Sequence, residues 1–375
     1  MDNKTNNLRI KLTAAVFILV FGGIFLLTLI MTPPEILQSE RRIPTKFPPL
    51  SFETVASAEF MEKFDNYAAD SFPCRDSFRT LSSILAFRVF RQTDKSGLYL
   101  DSNGAGMFKP IEAESVEQLL KKIRTIAGNL NGISIYYSFI PDKSVYSDKK
   151  PPGFDTALLR QILTESPGME EYTFIDITDE LGAGSYYRTD LHWKQTKLAG
   201  VLDVLGASMG FDADLSLYSE GYAGELEGVY AGQIALPIGT DSVYYLYNPY
   251  LSATYLNEKT MAPEPGPVYN WEKLTGLDAY DFFLSGAQPL VILENDSAAS
   301  DRELYLFRDS FSSSLAPLLA SFYSRIVLID LRYIDIRTVN RFIEFKPGSD
   351  ALFLYSTLVI NNPDVLLISI YDKLI

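Results

Sequence analysis

The chain has 375 residues, 47% hydrophobic and 21% charged, enough to bury one sizeable core or two modest ones. Its 33 Lys and Arg against 47 Asp and Glu give a formal charge of −14, which argues against a general nucleic-acid binder. One cysteine, Cys74, excludes an intramolecular disulfide framework, and with one histidine, His192, it excludes a Cys/His zinc site. Carboxylate-only calcium or magnesium binding stays open, although no EF-hand spacing is present. Any mechanism that relies on an imidazole base must use His192.

Residues 1–11 form a short head with Lys4, Arg9 and Lys11 against Asp2. Leu12 to Pro34 carries no charge, and at about 1.5 Å per residue it can cross a hydrocarbon layer of roughly 30 Å. The run ends in Leu29-Ile30-Met31-Thr32-Pro33-Pro34 without a small-residue cleavage pattern, so 12–32 reads as an uncleaved anchor. Arg41, Arg42 and Lys46 on the far side leave the positive-inside count nearly even. A short basic head before a long domain still fits an amino-terminus-in anchor, with residues 52–375 outside the cytoplasm. Residues 33–51, rich in proline, read as a linker.

Phe52 to Arg91 has helical spacing divided by Pro73. Gly97–Leu100 and Met107–Phe108 are β-like, Val116–Leu130 reads as an amphipathic helix, and Ile133–Ile140 as a strand. Ala157–Leu163 is helical, Phe174–Ile177 a short strand and Lys194–Met209 a helix. Residues 213–286 break the rhythm. They are rich in Tyr, Gly and Pro, with β-like stretches at Val229–Leu236 and Ser242–Tyr247, and read as an insertion. Alternation resumes with strands at Leu290–Glu294 and Leu304–Phe307, a helix over Ser312–Tyr323, and strands at Ile326–Ile329 and Ala351–Tyr355. The order predicts an α/β fold with a parallel sheet covered on both faces.

Asp190 and His192 stand two apart before a predicted helix. In an extended backbone both side chains leave on one face, so the carboxylate can orient the imidazole. The alternative is that Asp190 caps the helix and His192 is merely solvated. Ser77, Ser297 and Ser310 each follow an aspartate. Only Ser310 lies between a buried strand and a helix, where a hydroxyl is exposed and backbone N–H groups can stabilise an oxyanion.

Thr189-Asp190-Leu191-His192-Trp193, followed by Asp309-Ser310-Phe311 and Asp330-Leu331-Arg332-Tyr333, resembles the DHHW family. These are SGNH-hydrolase-like proteins related to alginate O-acetyltransferase catalytic domains, and the Asp-x-His pair precedes the serine in that group as it does here. The resemblance runs from about Phe52 to the end of the chain. Two positions depart from the family pattern: Leu191 stands at the name-giving second position, and Arg308 replaces a glycine before Asp309. The resemblance implies an SGNH-hydrolase-like, flavodoxin-like sheet and a Ser310–His192–Asp190 triad. The backbone N–H groups of Ser310 and Phe311 are the expected oxyanion donors.

If the two strands before Ser310 and Arg332 are parallel neighbours, both residues emerge at one sheet edge. Arg332 can then hold an acyl or sugar oxygen, or lie in a surface ion pair. Tyr186, Tyr187 and Trp193 can line a sugar cleft, with Tyr333 beside Arg332, or belong to the core. The expected activity is acetylation of a cell-surface polysaccharide without cofactor or metal. The resemblance implies a multi-spanning membrane acyltransferase as acetyl donor. An acetyl esterase with the same triad and a non-catalytic glycan-binding scaffold are the alternatives.

Overall fold

The computed structural model describes residues 3–31, 33–57, 59–149, 156–257 and 259–368. The start of the basic head, Thr32 in the anchor and the last seven positions of the 52–375 domain lie outside the described residues. The chain divides into two compact units, Met1–Gln92 with Gly232–Pro237, and Thr93–Ala231 with Ile238–Ile375.

The first unit begins with helix α1 (Asn3–Ile30), of which Asn7–Ile30 is long and apolar enough to cross a membrane. The helix starts within the basic head rather than at Leu12, because nothing in Asn3–Lys11 breaks a helix. Three more helices follow, α2 (Phe52–Ala56), α3 (Glu59–Asp70) and α4 (Arg75–Ile84), the last continued by a π turn over Leu85–Val89. Asp70 joins this unit internally by accepting from Arg42 at 2.6 and 2.8 Å and from the Thr45 N–H at 2.8 Å.

The second unit opens with a three-strand meander, β1 (Asp94–Lys95), β2 (Leu98–Asp101) and β3 (Gly104–Met107). Helix α5 (Ala113–Ala127), strand β4 (Ser134–Ile140), helix α6 (Thr156–Glu165), strand β5 (Thr173–Ile175) and helix α7 (Ala199–Met209) come next. The 213–286 segment holds β6 (Ser219–Leu226), α8 (Val229–Ile234), β7 (Asp241–Tyr247), β8 (Leu251–Leu256) and β9 (Pro263–Gly266). The chain closes with β10 (Leu290–Asn295), β11 (Ser300–Arg308), α9 (Ser312–Leu319), β12 (Tyr323–Ile329), α10 (Ile336–Val339), β13 (Asp350–Ser356) and α11 (Thr357–Ile360).

The main sheet has eight strands in the order β5-β4-β13-β11-β12-β10-β8-β9. The five from β5 to β12 run parallel, whereas β10, β8 and β9 each pair antiparallel. The expected parallel sheet is thus parallel across five strands and antiparallel at β10, β8 and β9. The connection from β8 to β9 is too short for a crossover and permits only a hairpin.

Side chains alternate between two cores, as period-two pleating requires. Tyr305, Phe307, Val327, Ile329 and Phe353 face α5 and α6, and Leu304, Leu306, Ile326, Leu328 and Leu352 face α7 and α9. One expectation fails locally. Val229–Leu236 is not a β stretch, because Val229–Ile234 folds as helix α8. Branched residues there favour a strand in isolation, but the first N–H groups of α8 find acceptors in Thr189 and Asp190.

Candidate active site

Parallel pairing of β11 with β12 places Phe307 opposite Ile329, so Ser310 and Arg332 follow neighbouring strands at one carboxyl edge. The turn after β11 is pinned from within. One Asp309 carboxylate oxygen accepts from the Phe311 N–H at 3.1 Å, and the other accepts from the Ser356 N–H, at the end of β13, at 2.7 Å. Ser310 sits half-buried on this turn, directly before α9.

The Asp190 segment is a tight loop rather than an extended strand. Tyr186 and Trp193 form an isolated antiparallel bridge, and the Tyr187 N–H donates to the His192 carbonyl at 3.0 Å. Asp190 Oδ1 accepts from the His192 N–H at 3.0 Å and lies 2.7 Å from its Nδ1. The i, i+2 relation thus arises from an Asp-centred turn in which one oxygen serves both groups. Nor does Asp190 cap the helix expected after it, because the chain continues through a short 3-10 turn, Gln195–Lys197, before α7. His192 Nε2 lies 2.9 Å from Ser310 Oγ. The sole imidazole therefore joins a buried carboxylate to the half-buried hydroxyl, which is the arrangement of a general base with its orienting acid.

Residues far away in sequence hold this loop. Asp241 accepts from Arg188 N, Thr189 N and Thr189 Oγ1, each at 2.7 Å. Asp190 Oδ2 accepts from the Val229 N–H at 3.0 Å. Beneath the loop, the Lys143 ammonium donates to the carbonyls of Ala105 and Tyr187 at 2.7 Å and of Asp190 at 3.2 Å. Burial pulls Lys143 down to about 8, against the opposing pull of Asp190, Asp241, Asp142 and Asp101. Gly228 approaches so closely that a Cβ there would lie 2.2 Å from Thr189 O and 2.5 Å from Asp190 Cβ. Gly228→Ala is accordingly expected to displace Asp190 and slow a reaction drawing on the Asp190–His192–Ser310 relay about 100-fold. Steady-state kinetics on folded variant check this, and an unchanged rate would contradict the close fit.

The imidazole is packed on its faces. Tyr280 stacks on it at 3.6 Å between ring centroids with planes 4° apart, and Phe311 lies at 4.8 Å, tilted by 52°. The Tyr280 hydroxyl, kept protonated by burial, donates to Ser314 Oγ at 2.9 Å. An aromatic pair of this kind contributes about 1 kcal/mol beyond its buried area. Tyr280→Leu should therefore slow turnover about fivefold, whereas Tyr280→Phe, which keeps the stack, should remain close to wild type. Rates for both variants at saturating substrate test this, and equal losses would assign the effect to the hydroxyl instead.

Several expected ligand contacts take other roles. Tyr186, Tyr187 and Trp193 are at most 1% exposed, so no ring offers a face to a sugar. Trp193 ties the loop to α9, with Nε1 donating to Phe311 O at 2.9 Å and Ser314 Oγ at 3.0 Å. The Phe311 N–H, expected as an oxyanion donor, is directed at Asp309 because that buried carboxylate needs donors. Among the described residues the Ser310 N–H meets no acceptor and remains available.

Arg332 lies in a two-point ion pair with Asp330, at 2.9 Å from Nε and 2.7 Å from Nη2, and over the exposed Tyr333 ring at 5.3 Å. Arg308 is fully buried, donating to Ser313 Oγ at 3.1 Å, and burial lowers its pKa. Of the other serines, Ser297 donates to Asn295 and Ser77 is exposed on α4.

No protein-family model matches the sequence, and no curated protein matches it. Solved structures do share its fold. A DHHW family protein from Eubacterium siraeum is 16% identical with a TM-score of 0.57, over 72% of this chain and 94% of its own. PatB1 of Bacillus cereus, solved with a sulfonyl adduct, is 16% identical with a TM-score of 0.57, over 72% of this chain and 98% of its own. A second PatB1 structure has 16% identity and a TM-score of 0.56, over 72% of this chain and 99% of its own. The resemblance to the DHHW family carried by Asp190-Leu191-His192-Trp193 thus extends to the fold.

Proposed function

We propose that this chain is a membrane-anchored serine O-acetyltransferase of SGNH-hydrolase-like type, acting outside the cytoplasm on a cell-surface polysaccharide. The observation that carries this reading is the continuous relay from Asp190 to His192 at 2.7 Å and on to Ser310 at 2.9 Å. The fold shared with a DHHW family protein and with PatB1 supports it, as does a helix at Asn7–Ile30 able to span a bilayer.

Ser310 Oγ attacks the acetyl carbonyl of a donor while His192 Nε2 takes its proton. Negative charge grows on the carbonyl oxygen, to which the Ser310 N–H donates. The intermediate collapses to acetyl-Ser310, and His192 returns the proton to the departing donor oxygen or sulfur. A sugar hydroxyl then gives its proton to His192 and attacks the acetyl-serine; as the acetyl–Oγ bond breaks, His192 returns the proton to Ser310 Oγ and the acetylated sugar leaves. Asp190 holds the Nδ1–H tautomer throughout and stabilises the imidazolium. A multi-spanning membrane acyltransferase is the proposed donor partner, since acetyl-coenzyme A is cytoplasmic.

The test uses the full chain. A serine-directed fluorophosphonate is expected to label Ser310, with labelling lost in His192→Ala; folded protein that stays unlabelled would favour a non-catalytic scaffold. Acetyl transfer from an activated ester to an oligosaccharide is then compared with acetate release. Release unaffected by the acceptor would identify an esterase instead.

A further inference from the structure

Helix α4 and its π turn are packed inside out. The side chains turned inward are mostly small or polar: Ser83 and Ala86 are buried, Phe87 is half-buried, Arg75 donates to Glu40 at 2.6 Å, and Arg79 donates to the carbonyls of Gly232 and Gln233 at 2.9 and 3.0 Å. Outward stand Phe78, Leu81, Leu85 and Val89, between 39% and 59% exposed. Their spacing of three, four and four puts them in one stripe, with Ile84 and Phe90 exposed beside it. A helix in water buries such a stripe, so a continuous exposed one marks a contact surface.

Its position says what covers it. Met31, Pro33 and Pro34, where α1 ends, line one cavity together with Phe72, Cys74 and Arg75, where α4 begins. With α1 across a bilayer, α4 therefore starts at the level where the span leaves the hydrocarbon. Arg88 and Arg91, both exposed, lie at the far end of the stripe. The stripe is a single convex ridge of aliphatic and phenyl groups flanked by arginine, which suits a fluid apolar layer better than a shaped protein pocket.

We propose that α4 and its π turn form an interfacial helix lying in the bilayer surface, with Phe78, Leu81, Leu85 and Val89 among the acyl chains and Arg88 and Arg91 at anionic headgroups. The inference rests on α1 as a span and not on the acyl-transfer chemistry. The anchor thereby has two parts, one crossing the membrane and one lying along it.

The test places nitroxide labels on the full chain in a Cys74→Ser background, at Phe78→Cys, Leu81→Cys, Leu85→Cys and Val89→Cys, with Asp65→Cys on exposed α3 as aqueous reference. The proteins are reconstituted in vesicles of phosphatidylcholine and phosphatidylglycerol. Collision with molecular oxygen, which concentrates in lipid, is compared with collision by a neutral water-soluble nickel chelate. A severalfold higher oxygen-to-nickel ratio at all four positions than at position 65 is the expected result. Equal ratios in protein that floats with the vesicles overturn the proposal while keeping the span. Failure to float removes the span as well. Shielding from both reagents also overturns it, and shielding that lifts on dilution in lipid identifies a second copy of the chain as the cover.

Discussion

Replacing Ser310 by alanine should lower acetyl turnover on the order of 10⁶-fold, as expected when the nucleophile of the proposed triad is lost. The substitution removes one half-buried hydroxyl that lies 2.9 Å from His192 Nε2, so the fold has little to lose. Circular dichroism and the thermal midpoint should match wild type while the rate from an activated acetyl ester falls to the level of substrate binding alone. A variant that keeps more than about one hundredth of the rate would show that acetyl transfer bypasses Ser310, because removing a mere oxyanion donor costs about that much.

Asp190→Asn should cost about 10⁴-fold in turnover. Asp190 accepts at both oxygens, Oδ1 from His192 N and Nδ1 and Oδ2 from Val229 N. An amide has only one oxygen. Turned toward His192, it sets its NH₂ against the Val229 N–H; turned the other way, it meets Nδ1 with a donor and favours the wrong tautomer. The first choice keeps the tautomer but loses the Val229 contact and the charge that stabilises the imidazolium, and the second puts the proton on Nε2, which then cannot accept from Ser310. Because the same variant alters a buried contact to α8, its urea midpoint is measured beside its rate. A rate loss below tenfold in folded protein would mean that the imidazole needs no orienting carboxylate.

Much of this site is legible along the chain, for reasons that differ by element. Strands β4, β11, β12 and β13 and helices α5 and α9 stand out because apolar residues recur at their own periods, and the strand-to-helix setting selects Ser310 over Ser77 and Ser297. The Asp190-x-His192 spacing is equally local, although a turn rather than a strand produces the shared face. What supports the proposed triad is not local. Tyr280, Asp241 and Lys143 reach the loop from other elements, and an isolated tyrosine or aspartate in a loop-rich segment carries no pattern that points to a histidine far upstream. Burial misleads in the opposite direction for Tyr187 and Trp193. Beside a motif they read as ligand-facing rings, yet the loop turns them into the interior, where Trp193 donates to Phe311 and Ser314. The Phe311 N–H is lost to the oxyanion because the Asp309 carboxylate, itself buried, takes it first.

Enclosure of the imidazole bears on the order of events in the proposed reaction. With Tyr280 flat on one face, Phe311 inclined against it and the side chain 5% exposed, His192 offers little surface besides its contact with the serine hydroxyl. Donor and acceptor must then use the same doorway in turn, since neither can wait at the base while the other occupies it. Such a site alternates between two substrates, each excluding the other, and double-reciprocal plots at several acceptor concentrations would be parallel lines.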